Sequence, residues 1–310
     1  MAIWKAVDGA PDTSVSGPTA VTIGNFDGVH LGHQSLLAAT RAAADGAATV
    51  AITFDPHPVA IFAPDRAPKQ LTSLERRIEL LHAHGADHVR VLDFSAEMAA
   101  WSPDDFVRAV VLEQCSARAV VVGAGFRYGS RATGSIETLA ASGEQHGFTA
   151  AEVELAGDGA TFSSTRVRDA IAAGDVEAAA AILGRPHEVV GTVVRGDRRG
   201  RELGFPTANV PVDDTYAVPP DGVYAAWVVL PDGSRVPAAT SIGTNPTFEG
   251  VAGRRVESYV LDRDDLDLYD RAITVRFVAR LREMVAYDSL DALVEQMHRD
   301  VADARAALGS

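Results

Sequence analysis

At 310 residues the chain is long for one domain and about right for two, and a hydrophobic content of 47% is enough for two buried cores. A formal net charge of −14 argues against nucleic acid or an anionic membrane surface as a partner, since both select basic faces. The single cysteine, Cys115, excludes an intramolecular disulfide and any multi-cysteine metal site, and its place between a helical pattern and a strand marks it as inert.

Met1 to Gly17 carry one lysine, Lys5, and no continuous apolar core, so this stretch does not read as a signal peptide. No apolar run approaches the roughly 20 residues that span a bilayer. A soluble, cytoplasmic protein without a membrane partner is expected; an oligomer is compatible with the sequence.

From Thr19 to about Ala173, short Val- and Ile-rich strands alternate with helix-length segments. "AVTIG", "ATVAITF", "HVRVLDF", "RAVVVG" and "TAAEVEL" read as strands. Ser73 is placed to cap "LERRIELLHAHG", and Ser102-Pro103 opens "DDFVRAVVLEQ". Such alternation implies a parallel sheet with helices on both faces, an α/β domain. After Leu183–Gly191 the rhythm changes. "HEVVGTVV", "TANVPV", "GVYAAWVVL", "RVPAATSIG", "VESYVL" and "AITVRFVARL" follow one another with turn signals such as Pro219-Pro220-Asp221-Gly222 and no intervening helix. Closely spaced strands of this kind suggest an antiparallel barrel. One last helix follows, with Leu290, Leu293, Val294, Met297 and Val301 on one face and Asp288 or Ser289 as cap. The boundary is placed to give domains 1–185 and 186–310.

The first chemical signal is "TIGNFDGVHLGHQSLL", Thr22 to Leu37, in which His30 and His33 stand at a strand-to-helix turn. In a doubly wound sheet that turn lies at the ligand-binding edge, and backbone N–H groups and the helix dipole favour phosphate there. Gly24, Gly28 and Gly32 permit close approach of backbone to a ligand. Two imidazoles at i and i+3 can donate hydrogen bonds to phosphate oxygens and stabilise charge on a phosphorus under attack. A zinc site would need a third ligand from elsewhere, and two surface histidines at a helix start would need none. The segment resembles the His-x-Gly-His nucleotidyltransferase superfamily, which transfers AMP from ATP and releases pyrophosphate. "FSSTRVRDAI", Phe162 to Ile171, would alone be an ordinary helix start; beside the histidine motif it matches the superfamily's second signature. The resemblance implies phosphate-holding roles for Ser164, Thr165 and Arg168. "FDPHP" adds His57 after the second strand, at the same edge.

The second signal is "RGDRRGRELGFPTANV", Arg195 to Val210. Gly196, Gly200 and Gly204 give the loop freedom, Arg198, Arg199 and Arg201 give it positive charge, and it leads through Pro206 into a strand. Thr207 and Asn209, two apart on that strand, point to one face, and a hydroxyl and an amide oxygen are hard ligands suited to Mg²⁺ shared with phosphates. A solvated basic loop before a barrel strand is the plainer alternative. "SIGTNPTFEG", "RRVESYVLD" and "RFVARLREMVAYDSLDALVEQMHRD" follow in the order seen in riboflavin kinase.

Together these motifs cover nearly the whole chain, which resembles the prokaryotic bifunctional riboflavin kinase/FAD synthetase family. The resemblance implies an N-terminal Rossmann-like FMN adenylyltransferase domain and a C-terminal riboflavin kinase on a six-stranded antiparallel β-barrel with a terminal helix. It implies riboflavin, FMN and ATP as ligands, ATP as co-substrate and Mg²⁺ as cofactor. The site residues it implies are His30 and His33 as catalytic donors and Glu257 as the carboxylate that takes the ribityl hydroxyl proton. Gly24, Asn25, Phe26, Asp27, His57, Ser164, Thr165, Arg168, Gly196, Arg201, Gly204 and Pro206 would bind the substrates, and Thr207 and Asn209 the metal. One position departs: where the family usually has Asp or Asn in "VVGAGFRYG", this chain has Gly125. A monofunctional riboflavin kinase with a degenerate first domain, and a flavin- or nucleotide-binding module without turnover, are the alternatives.

Overall fold

The structure, a computed structural model, describes residues 17–195, 204–244, 254–263 and 265–310. It divides into two compact units, the first comprising Met1–Pro68 with Ser73–Ser163, the second Lys69–Thr72 with Ser164–Ser310.

In the first unit, strands β1 (Thr19–Ile23), β2 (Ala48–Phe54), β3 (His88–Leu92), β4 (Ala117–Gly123) and β5 (Thr149–Val153) form a fully parallel sheet in the order β3-β2-β1-β4-β5. The helices joining them include α1 (Leu31–Ala43), α2 (Pro58–Phe62), α3 (Leu74–Ala83), α4 (Ala96–Ala99), α5 (Pro103–Phe106) and α6 (Ile136–His146). Period-2 alternation divides the sheet between two cores. Val21, Ile23, Val50, Ile52, Val120 and Val122 pack with Phe106, Val110, Val111 and Leu139. The residues between them, Ala51 and Val121, pack with Leu36 and Leu37 of α1 and Ile78 and Leu81 of α3. Strand order reverses between β1 and β4, which makes the turn after β1 the ligand-binding position of a Rossmann-like sheet.

Ser73 caps α3 and Ser102 caps α5, each accepting the N–H three residues on. The helix expected through "DDFVRAVVLEQ" is α-helical only to Phe106, and Val107–Leu112 continue as a π-helix. Cys115 is buried, and burial pushes its thiol up to about 12, so it stays protonated.

In the second unit, α7 (Ser164–Ala173) and α8 (Val176–Leu183) precede β6 (His187–Thr192), β7 (Thr207–Pro211), β8 (Gly222–Val229), β9 (Arg235–Thr244), β10 (Arg254–Val260) and β11 (Ala272–Arg282). These six strands make one antiparallel sheet in the order β6-β11-β8-β9-β10-β7. The sheet curls until its ends meet: Val194, just past β6, donates its N–H to Asn209 O of β7 at 2.8 Å. Barrel closure removes the exposed edges of a sheet. Inside lie Val210, Tyr224, Ala226, Val228, Ile242, Val256, Val275 and Phe277, and Val176 of α8 joins the same core. Thr240 and Ser258, both fully buried and opposite each other on neighbouring strands β9 and β10, satisfy each other at 2.9 Å.

The C-terminal helix, Leu290–Leu308, is capped by Ser289. Its expected apolar stripe is only half-buried, and Leu290 is exposed. The helix is seated instead by a polar anchor. Buried Asp300 takes two hydrogen bonds from Arg282 of β11, both 2.7 Å, and one from Gln296 at 2.9 Å. No helix among the described residues is long and apolar enough to cross a membrane. Asp300→Asn should destabilise the second unit by about 3 kcal/mol, because Arg282 is left with a half-paired, mostly buried charge. Thermal unfolding checks this, and Arg282→Met combined with Asp300→Leu should recover much of the loss; a silent Asp300→Asn would mean the helix is held by its apolar face.

Candidate functional sites

The histidine turn is built by three unusual backbone positions. Phe26 and Val29 adopt φ of +51° and +39° and Gly28 +81°, a run that folds the chain sharply between β1 and α1. Phe26 turns inward, fully buried, and its ring lies edge-on beneath His33 with centroids 5.1 Å apart. Gly24 has no side chain because a Cβ there would sit 3.3 Å from the Phe26 ring. Asp27 and His30 are both 2% exposed.

His30 is the N-cap of α1, and its Nδ1 accepts the His33 N–H at 3.3 Å. A neutral ring that accepts at Nδ1 carries its proton at Nε2. The two imidazoles stack with centroids 3.6 Å apart and planes 22° apart. His33 is held well below the usual histidine value, by burial first, then by the repulsion that a second protonated ring at His30 would impose, and then by the Arg77 charge. At neutral pH it is therefore an uncharged imidazole with one N–H to donate, and its Nδ1 is buried with no hydrogen bond inside the protein. Gly32 lies where a Cβ would come within 3.1 Å of the His30 ring and of Phe162 O. That contact explains the glycine between the histidines and lays the loop residue Phe162 against the start of α1.

The end of β2 is joined to this turn. Thr53 Oγ1 donates to Asn25 O at 2.9 Å, and Arg77 Nη1 donates to Thr53 Oγ1 at 3.2 Å and Phe54 O at 3.1 Å. His57 follows and caps α2, accepting the Val59 N–H at 3.2 Å. Gly24, Asn25, Phe26, Asp27, His30, His33 and His57 are thus on two neighbouring loops at one sheet edge. Ser164, Thr165 and Arg168 fall in the second unit, on α7, where Arg168 Nε donates to Lys69 O at 2.6 Å. Gly125, at φ +75°, donates its N–H within the protein, to Glu152 Oε1 at 2.8 Å.

The second site is set by register. In the β7–β10 ladder Asn209 stands opposite Glu257 and Thr207 opposite Tyr259. Residues opposite each other in an antiparallel pair share a face, so Thr207, Asn209, Glu257 and Tyr259 make one patch. Val210, Val256 and Val260, on the other face, are in the barrel core. Asn209 Nδ2 donates to Thr207 Oγ1 and to Thr207 O, both at 3.2 Å. Phe205 caps one side of the patch, its ring 5.1 Å from those of Tyr259 and His298. Gly204, at φ +86°, has open space where a Cβ would go, and Pro206 follows Phe205 into β7. Gly196 and Arg201 lie outside the described residues.

Residues 12–166 match the FAD synthetase family and residues 183–308 the riboflavin kinase family. The chain is 39% identical to the bifunctional riboflavin kinase/FMN adenylyltransferase of Pseudomonas fluorescens, over 92% of this chain and 91% of that one. The chain belongs to the bifunctional riboflavin kinase/FMN adenylyltransferase family. The Escherichia coli K12 member is 35% identical over 93% of this chain and 92% of its own. A Streptococcus pneumoniae protein described as a macrolide-efflux protein shares the architecture, with a TM-score of 0.84 and 31% identity over 94% of this chain and 95% of that one.

Within this family framework, Arg77 is a residue that motif reading passed over. Its signal was present: Leu74, Arg77, Ile78 and Leu81 recur at i, i+3, i+4 and i+7, so a charge sits in the apolar stripe of α3. His298 and Phe205 gave no comparable signal, because their meeting depends on where the C-terminal helix docks.

Gly32→Ala tests the packing of the histidine turn. The added methyl should push the His30 ring off His33, cost about 1–3 kcal/mol in stability, and move the imidazole proton resonances of both residues. Unchanged resonances would mean that the turn absorbs a methyl freely.

Proposed function

We infer that the chain makes FAD in two steps, phosphorylating riboflavin to FMN with ATP and then adenylylating FMN with a second ATP. The single observation that carries the kinase assignment is the register placing Glu257 opposite Asn209 beside Thr207. For the adenylyltransferase it is the stacked His30–His33 pair at the turn where strand order reverses. Both support the bifunctional reading over a degenerate first domain or a module without turnover.

In the kinase step the ribityl 5'-hydroxyl attacks the γ-phosphate of ATP, and Glu257 accepts its proton. Positioning and charge neutralisation carry most of phosphoryl transfer, so the glutamate orients the hydroxyl as much as it activates it. Mg²⁺ fits the Thr207–Asn209 pair: the Asn209 amide nitrogen is engaged by Thr207, leaving Oδ1 and the Thr207 hydroxyl as oxygen donors, two ligands for an ion that shares phosphates and water. When bound there it would neutralise phosphate charge. Gly204 and Pro206, with Gly196 and Arg201, are assigned to the nucleotide loop.

In the second step an FMN phosphate oxygen attacks the ATP α-phosphorus, and the bond to pyrophosphate breaks. The nucleophile is already ionised, so no general base is needed. His30 and His33 donate to phosphate oxygens, while the turn Gly24–Asp27, His57, Ser164, Thr165 and Arg168 hold the nucleotide. The catalytic boundary is placed at 185/186, with the adenylyltransferase in 1–185 and the kinase in 186–310. A cytoplasmic location fits an enzyme whose substrates are ATP and flavins.

Incubating the protein with riboflavin, ATP and Mg²⁺ and separating the flavins tests the assignment; FMN alone would establish the monofunctional reading and neither product the binding module. His30→Ala and His33→Ala should each cut FAD formation by roughly 10²-fold while leaving FMN formation intact. Glu257→Gln should do the reverse, lowering FMN formation from riboflavin by about 10²-fold with little change in ATP affinity, while FAD formation from supplied FMN stays intact. With each step assayed on its own substrate, riboflavin or FMN, equal losses of both activities in any of these would mean unfolding, not chemistry.

Gly125→Asn should raise FAD formation about tenfold, by supplying a side-chain hydrogen bond where the family usually has one. The site has space for it, and asparagine tolerates φ +75° better than most residues. Gly125→Ala supplies strain without a donor and should not raise the rate. If Gly125→Asn slows the step, the loop serves through its glycine conformation and its Glu152 contact.

A further inference from the structure

We propose that Arg77 is a positioning residue of the adenylyltransferase site: through Thr53 and Phe54 it fixes the loop bearing His30 and His33 relative to the loop bearing His57. The inference rests on the assignment of that site to adenylyl transfer.

Arg77 is 3% exposed, on a helix whose neighbouring positions Ile78 and Leu81 serve the core. Burying a guanidinium is costly, and an apolar side chain of similar volume at such a position is commonly as stable or more so. Packing alone therefore gives no reason for an arginine here. Its contacts give one. A single nitrogen, Nη1, donates to Thr53 Oγ1 and to Phe54 O. The Thr53 hydroxyl, fully buried, donates in turn to Asn25 O, in the turn that leads to the histidines. Phe54 is the last residue of β2, immediately before Asp55-Pro56-His57. One cation thus ties both loops at the sheet edge. The same positive charge bears on His33 and favours its neutral form. Histidines that donate to a reacting phosphate must be placed to within a fraction of an ångström, and a displacement of about 1 Å can cost on the order of 10²-fold in rate.

The test uses the full chain and reads kcat and KM for FAD formation, with FMN formation as the internal control. Arg77→Met should lower kcat for FAD formation by about 10²-fold while leaving KM for ATP within a few-fold and FMN formation unchanged. Arg77→Lys, which restores a buried cationic donor, should recover much of the loss. Thr53→Val removes the relay hydroxyl without changing shape or charge, and should lower kcat about tenfold. The double variant should be no slower than Arg77→Met, because both substitutions break one connection. Wild-type kcat in Arg77→Met, or multiplying losses in the double variant, would overturn the proposal. If Arg77→Met does not fold, Thr53→Val decides alone, and an unchanged kcat there overturns it. A wild-type chain that makes FMN but no FAD would refute the adenylyltransferase assignment instead.

Discussion

The adenylyl-transfer end of this protein depends on one use of a histidine side chain as a helix cap. His30 accepts the His33 N–H through Nδ1, and that bond does three things together. It satisfies an orphan donor at the start of α1, it fixes the His30 proton on Nε2, and it brings the two rings into a stack. The requirements on neighbouring residues follow. Gly32 must lack a side chain so that the His30 ring and the Phe162 carbonyl can approach, and Phe26 must turn inward to support His33. The His-x-Gly-His spacing is therefore a packing constraint before it is a chemical one.

The kinase end is organised differently, by pairing rather than by a turn. Thr207, Asn209 and Glu257 come from strands some fifty residues apart in sequence, and only the ladder register makes them neighbours. A one-residue slip would send all of β10's outer residues into the core, where Val256 and Val260 now are. The hydrophobic alternation that fills the barrel thus also guards the alignment of the polar patch. The interior Thr240–Ser258 pair reinforces the neighbouring β9–β10 ladder, since each hydroxyl needs the other as its partner.

Much of this was legible in the chain itself, for identifiable reasons. Strands such as "ATVAITF" and "GVYAAWVVL" are read from runs of β-formers between turn residues, and the helix starts at Ser73 and Ser102 from capping chemistry alone, while the last start was narrowed to Asp288 or Ser289, of which Ser289 is the cap. Sites lying within one continuous motif, as His30 and His33 do, were equally open. What escaped depends on contacts between distant segments. The C-terminal helix shows an apolar stripe, yet it is anchored by Asp300 on Arg282, which no periodicity reveals. Gly125 stood out only as a departure from the family pattern, and only the β4–β5 neighbourhood shows Glu152 taking its N–H. Arg77 disturbed a helical pattern, but its partners Thr53 and Phe54 belong to another strand.

The uncharged state of His33 bears on why imidazoles, rather than lysines or arginines, sit at the turn. Adenylyl transfer has an anionic substrate, an anionic nucleophile and an anionic leaving group, so fixed cations would bind the triphosphate and the pyrophosphate product alike. Uniform binding of that kind lowers KM without raising kcat and slows product release. A neutral N–H donor gains most where negative charge is concentrated on the oxygens about the reacting phosphorus, so its contribution is weighted toward the transition state. The turn keeps His33 neutral by burial first, and the charge of the buried Arg77 guanidinium adds to the effect. In that arrangement the Arg77 charge organises the turn and favours a neutral His33, while the charged group assigned to the nucleotide, Arg168, comes from α7.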